Sequence, residues 1–372
     1  MLSNQILQRT IHEIAKIVQC HCSVWSMEGG LLGCSGEPGE ELRKEVPAFL
    51  SGLGETGAEE EKIQEDRAFF IICDELEPVY VLVLANPEGP VDFSITGHLC
   101  VSQIESLIRV SRERMDKNRF MQNLILDNLL LVDIYNQAKK LSIPVEQRRV
   151  VILVEPKNPE DSMVLDMIRG IYSTGTGDFV TAVDERHVIL IKALEDTEEY
   201  REINNMAHML VDAVNTEAMA NVRVSYGTII EELKDVSQSY REAAMALDVG
   251  RIFYTERNVF SYRELGIGRL IHQLPVSLCE MFLEEVFSGK AVEQFDEETL
   301  STVDKFFENS LNISETARQL FVHRNTLVYR LEKIQKQTGL DVRVFEDALT
   351  FKIALMVADH LKFLQEEDKT WD

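Results

Sequence analysis

Apolar residues recur along this chain with two different periods, and the changes of period divide it into three parts. Near the amino terminus Leu7, Ile11, Ile14 and Val18 fall on one helical face with Arg9, Glu13 and Lys16 elsewhere, which predicts an amphipathic helix over 4–18. The stretch SVWSMEGGLLGCSG reads as a hairpin turning at Gly29-Gly30. A charged loop, SGLGETGAEEEKIQED, follows, and strands are predicted near Phe69 to Cys73 and Val79 to Leu84. From Asp92 to Leu141 the pattern is helical; Pro144 in LSIPVEQ ends it, because proline lacks the N–H and disfavours helix in the residue before it. Within this stretch Val101, Ile104, Ile108 and Met115 occupy successive a/d positions over too short a span for a coiled coil. That stripe suits either a dimerising signalling helix or a helix packed on the N-terminal sheet.

The middle of the chain reads β-α-β-β-α-β-α. RVVILVEP is a buried strand, PEDSMVLDMIRGIY a helix, and FVTAV and HVILIKAL are strands joined at Asp184-Glu185-Arg186. A helix TEEYREINNMAHMLVDAVNTE, a strand VRVSYGT and a helix DVSQSYREAAMALDVGR complete it. This order predicts an antiparallel sheet with helices on one side, a ferredoxin-like plan.

The carboxy-terminal part is helical throughout. TLSTVDKFFENS makes a leading amphipathic helix, and Asn312 or Ser314 offers an N-cap oxygen to the next, with Glu315 placed for a capping box. Ala317 allows a close helix crossing, and FVH gives a turn of the length used between the helices of a helix-turn-helix, with Phe321 where many such turns carry glycine. The second helix spans Arg324 to Gln337; Leu327, Leu331 and Ile334 form its packing stripe and Gly339 its stop. A closing helix, FEDALTFKIALMVADHLKFL, would cover the motif through Phe345, Leu349, Ile353 and Met356.

Charge sharpens this picture. The 372-residue chain carries a formal net charge of −25, yet residues 312–340 hold five Lys/Arg against two acids. That segment is +3, which leaves −28 on the other 343 residues. A basic patch on an acidic body marks a place where a polyanion docks. The outward face of the second helix carries Asn325, Thr326, Tyr329, Arg330, Lys333 and Lys336, with His323 and Arg324 at its start. Arginine can bond guanine bidentately, asparagine can do so with adenine, and threonine can touch a thymine methyl in the major groove. The first turn of such a helix points into the groove. Base reading is expected from Arg324, Asn325, Thr326 and Tyr329, phosphate contacts from Arg330 and Lys333, and either role from His323.

The block VRVSYGT…SYREAAMALDVGR and the hairpin before it resemble the GGDEF-like domain of the CdaR/PucR family of bacterial transcriptional regulators, and SETARQLFVHRNTLVYRLEKIQKQTGLD resembles that family's C-terminal helix-turn-helix. The resemblance covers Leu124 to Leu364 and does not reach the amino-terminal third, whose order of elements is compatible with a GAF- or PAS-like sensory fold. The expected architecture is a multidomain α/β (α+β) chain: a GAF/PAS-like sensor over 1–91, signalling or linker helices over 92–143, a degenerate, ferredoxin-like GGDEF-like domain over 144–270, a linker helix over 271–292 and an all-α helix-turn-helix domain over 293–372.

An active diguanylate cyclase needs a glycine pair at its central hairpin so that backbone can approach nucleotide phosphates, and an acid to help hold Mg²⁺. Here the hairpin reads AVDERHVI; Asp184 and Glu185 lie on the turn, and Glu155 stands alone at the end of the first strand. STGTGD, Ser173 to Asp178, follows a helix instead of opening one and reads as a turn. No GxSxG, HExxH or Walker A motif is present, and no catalytic role, cofactor or metal is assigned. Cys20, Cys22 and Cys34 lack the C-x2-C spacing of a zinc knuckle and read as reduced thiols in or near the sensor core, with a redox or metal sensor as the alternative. The longest strongly apolar run, VYVLVLA, is too short to span a membrane. The expected protein is a cytoplasmic, sequence-specific DNA-binding regulator that docks on a pseudopalindromic operator as a homodimer or higher homo-oligomer and answers to an effector of unknown identity. The alternative is a nucleotide- or metabolite-sensing protein whose helix-turn-helix is a protein-interaction module.

Overall fold

Val79 to Ala85 is apolar in both phases of a strand, a pattern that requires burial on two faces. In the computed structural model of the chain it lies at the centre of a five-stranded antiparallel sheet. The structure describes residues 2, 4–52, 61–75, 77–85, 91–158, 163–172, 177–184, 186–287 and 296–369. They fall into two units, Met1–Phe120 and Met121–Asp372.

The first unit runs α1 (Asn4–Val18), β1 (His21–Ser26), β2 (Leu31–Cys34), α2 (Leu42–Gly52), β3 (Glu61–Ile63), β4 (Arg67–Asp74), β5 (Glu77–Ala85) and α3 (Phe93–Ile125), the last of which continues into the second unit. The sheet order is β2-β1-β5-β4-β3. Alternation sorts its side chains: Phe70, Ile72, Leu82 and Leu84 join Leu7, Ile11 and Ile14 of α1 and Ile104 and Ile108 of α3 on one face. Trp25, Phe69, Ile71, Val81 and Val83 pack with Leu42 and Val46 of α2 on the other. Gly97 lets α3 approach closely, because a Cβ there would lie 2.0 Å from the Phe70 ring. Ile104 and Ile108 are thus committed to this core, and the heptad-like stripe is a sheet-packing face, with Met115 57% exposed beyond it. Cys20, Cys22 and Cys100 share the same core; burial pushes the Cys22 thiol up to about 12 and Cys100 to about 11. Both are protonated at neutral pH, where only the thiolate is reactive.

The second unit contains α4 (Leu131–Lys140), β6 (Glu146–Pro156), α5 (Met163–Tyr172), β7 (Phe179–Thr181), β8 (Val188–Ala193), α6 (Tyr200–Glu217), β9 (Val222–Tyr226), β10 (Ile230–Glu232), α7 (Val236–Phe253) and β11 (Val259–Ser261). Its sheet order is β11-β9-β6-β8-β7, with β10 pairing β6. β6, β7, β8 and β9 each run antiparallel to their sheet neighbours in the 4-1-3-2 order of a ferredoxin-like unit, and β11 adds a parallel edge. α5 and α6 cover the face that carries Val150, Ile152 and Val154. α7 covers the opposite face, where Ser239 accepts from the Val151 N–H at 3.1 Å and Ser225 Oγ donates to the Ala243 carbonyl. The expectation of helices on one side is therefore corrected: β6 is buried in both phases, so both faces need cover.

α8 (Gly268–Ile271) and α9 (Val276–Phe287) lead to α10 (Glu297–Glu308), α11 (Ile313–Gln319), α12 (Arg324–Thr338) and α13 (Phe345–Lys369). Val303, Phe306, Ala317, Leu327, Leu331, Ile334, Phe351 and Ala354 form their shared core. α13 buries Ala348, Phe351, Ala354 and Val357, while Phe345 and Leu349 are exposed; Ile353 and Met356 turn toward Cys279 on α9. The expected apolar face of α13 lies one position around the helix from the one used, because that helix serves two neighbours, the motif and α9.

Candidate nucleic-acid interface

Four caps set the geometry of α11 and α12. Asn312 accepts from the N–H groups of Ser314 and Glu315, both at 3.1 Å, and so starts α11. Glu315 does not close a capping box; it turns forward to Arg318 and Gln319. α11 ends in a Schellman arrangement in which Phe321 N–H donates to the Arg318 carbonyl and Val322 N–H to that of Ala317. This puts Phe321 at φ +54°, the left-handed position usually given to glycine, at a cost of about 1–2 kcal/mol for a residue with a Cβ. His323 then caps α12, its Nδ1 accepting from the Asn325 N–H at 3.2 Å. With Nδ1 so used, the ring proton sits on Nε2. Gly339, φ +83°, ends α12 as the residue pattern predicts.

Leu327, Leu331 and Ile334 bind α12 to α10 and α11, which leaves the other side of its amino-terminal end facing solvent. His323, Arg324, Asn325 and Thr326 are exposed, and Tyr329 is 66% exposed on the next turn. Five of the seven expected contact residues are thereby brought onto one solvent-facing end. The other two are engaged inside the chain. Arg330 donates to Thr302 Oγ1 at 3.1 Å and pairs with Glu298 of α10. Lys333 pairs with Asp296 at 2.6 Å and holds that carboxyl well below the usual carboxylate range, while Asp296 itself caps α10 through the Thr299 N–H. The reason is angular: at 3.6 residues per turn Arg330 lies about 40° from Ile334, on the margin of the buried stripe and not opposite it.

The middle domain presents a second cluster. Glu155, buried at the end of β6, faces Arg223 at 3.3 Å, Arg251 at 3.5 Å and His187 at 3.9 Å. Asp184 accepts from the N–H groups of Arg186 and His187 and pairs with His187 Nδ1 at 2.7 Å. The carboxylates at the strand end and the hairpin are thus both occupied by cations or turn N–H groups. Glu185 and residues 173–176 of the STGTGD turn lie outside the described residues.

An antiparallel α/β domain followed by a capped helix-turn-helix, whose second helix projects a polar and cationic first turn, defines a regulator-type architecture with a nucleic-acid-reading end. Residues 299–357 match the PucR C-terminal helix-turn-helix domain, and residues 128–249 match the GGDEF-like domain. Among its relatives, the purine catabolism regulatory protein of Bacillus subtilis is 30% identical over 45% of this chain and 32% of its own length. The carbohydrate diacid regulator of Escherichia coli is 23% identical over 71% of each chain. The DNA-binding transcriptional activator AdeR of Bacillus subtilis is 25% identical over 44% of this chain and 40% of its own. Over these two domains the chain is similar to the CdaR/PucR family of transcriptional regulators. It matches about a third of the length of the purine catabolism regulatory protein.

Proposed function

We propose that this protein binds double-stranded DNA sequence-specifically and regulates transcription in response to a signal received by its amino-terminal unit. The observation that carries the proposal is the exposed amino-terminal end of α12, where Arg324, Asn325, Thr326 and, one turn on, Tyr329 are free of the core and aimed outward from a capped helix. These side chains carry the donors, acceptors and methyl group that distinguish base pairs in the major groove. His323 Nε2–H serves a phosphate while Nδ1 holds the cap. Arg330 and Lys333 reach phosphates only by leaving Glu298 and Asp296.

The amino-terminal unit is read as a GAF/PAS-like sensor; its five-stranded antiparallel sheet with helices on both faces supports that reading. The middle domain is read as a non-enzymatic relay, since its hairpin lacks a glycine pair and Glu155 is held by two arginines. The protein acts as a homodimer in the cytoplasm, because one such motif offers few base contacts and helix-turn-helix proteins gain specificity from two half-sites about 34 Å apart. No described helix is long and apolar enough to cross a membrane. The test is selection of genomic DNA fragments by the full-length chain, followed by gel shift against scrambled competitor. Enrichment of a two-fold-related sequence supports the proposal; binding of all fragments alike, or of none, contradicts it.

A further inference from the structure

Phe321 combines two features that each cost free energy within the chain. Its backbone is held at φ +54° by the Schellman end of α11, where glycine or asparagine would sit without strain. Its side chain is 96% exposed, so the phenyl ring covers no core. The local fold would be served better by glycine, and the ring contributes nothing to packing that could offset the strain. Its position supplies the missing partner. Phe321 lies two residues before the His323 cap and three before Arg324, beside the exposed end of α12. Three residues reach at most about 10 Å, or about three base-pair steps of ~3.4 Å, so a ring turned toward the DNA would meet a base pair close to those under Arg324 and Asn325.

Resting on the DNA-binding reading above, we propose that Phe321 is a specificity-determining residue whose ring packs on the 5-methyl group of a thymine in the major groove. A phenyl ring has no donor or acceptor for a phosphate, whereas the thymine methyl is the apolar feature of a major-groove edge and phenylalanine is among the side chains that contact it. Covering the ring with that methyl removes an aromatic surface from water, which is what the free chain leaves undone.

The experiment uses the full-length protein on the DNA it selects, with fluorescence anisotropy of wild type, Phe321→Gly and Phe321→Leu. Each operator thymine is replaced in turn by uracil, which removes only the methyl. Wild type is expected to lose about three- to fivefold in affinity at one thymine per half-site. Phe321→Gly is expected to bind the thymine operator about tenfold more weakly and to be indifferent to uracil at that position. Its melting temperature should equal or exceed that of wild type, since strain is relieved and no packing is lost. Phe321→Leu should retain part of the uracil penalty. Wild-type affinity in Phe321→Gly, or an unchanged uracil penalty in that variant, overturns the proposal while leaving the DNA-binding reading in place. Failure of the wild-type chain to select any DNA overturns both.

Discussion

Arg324 and Arg330 sit on the same helix, six residues apart, and do different things. Arg324 opens the exposed first turn; Arg330 is folded back against Thr302 and Glu298 and is mostly covered. Replacing Arg330 by alanine should therefore lower stability by about 0.5–1.5 kcal/mol, the worth of its hydrogen bonds, while leaving the order of preference among operator variants unchanged. Denaturant unfolding and competition binding measure the two effects, and a changed base preference with unchanged stability would reverse the assignment. In the middle domain, Glu155 between Arg223 and Arg251 makes a similar point about engaged groups. Incubation with GTP and Mg²⁺ should yield no cyclic dinucleotide; turnover that disappears in Asp184→Ala would contradict the relay reading. At this scale the stop at Gly339 was legible in the residues and the start of α11 was narrowed to Asn312 or Ser314, because each rests on local chemistry; the structure places the cap at Asn312. The direction of Arg330 was not, since a residue on the edge of an apolar stripe is placed by whichever partner lies nearest, and Glu298 is 32 positions away in sequence.

Elements with strong periodicity were legible as well: α1, β5, the β-α-β-β-α-β run and α10 to α12 follow from patterning alone. Those that depend on neighbours were not. α2 contains Pro47 and β3 lies in a charged stretch, so neither has a clear signal, and β10 and β11 are three-residue strands defined only by the partner they pair with. α13 is the most instructive case, because it faces both the motif and α9 and therefore lacks a single stripe. It also buries His360 to 1% exposure, with its ring 5.4 Å from that of His272, which itself faces Asp248 of α7. Burial, with His272 beside it, lowers the His360 pKa below its ordinary 6.5. The folded chain then holds this proton less readily than the unfolded chain does, so stability is full above pH 6.5 and falls as pH drops through that value. Thermal melts from pH 8 to pH 5 should show this loss, and His360→Leu should reduce its slope; an identical slope in the variant would assign the acid sensitivity elsewhere.

For the whole molecule, charge decides how binding must be organised. A chain of net charge −25 repels DNA except where α12 presents its first turn, and two of that helix's four cations are already paired with Asp296 and Glu298. Each phosphate contact contributes about −0.9 to the slope of log K against log salt, so a single protomer should bind weakly and release DNA at moderate salt. Docking of two protomers, as proposed above, would double the contacts and fix the half-site separation. Inserting about 5 bp, half a helical turn, between half-sites should abolish tight binding by placing the second site on the opposite side of the duplex. Affinity indifferent to that insertion across a salt series would exclude paired docking. The local excess of positive charge was visible in the sequence, but its partial neutralisation by α10 was not, because it arises from packing between helices.

The central claim is that the first turn of α12 reads base pairs, and the most direct test is a specificity profile. The full-length chain, Arg324→Ala and Asn325→Ala are titrated by anisotropy against the selected operator and against every single-base-pair variant of one half-site. Each substitution should cost about 1–3 kcal/mol on the native operator and flatten discrimination at one base pair, with the other positions and the melting temperature unchanged. Variants that keep wild-type affinity and a wild-type profile, or that weaken binding to all sequences equally, would contradict it.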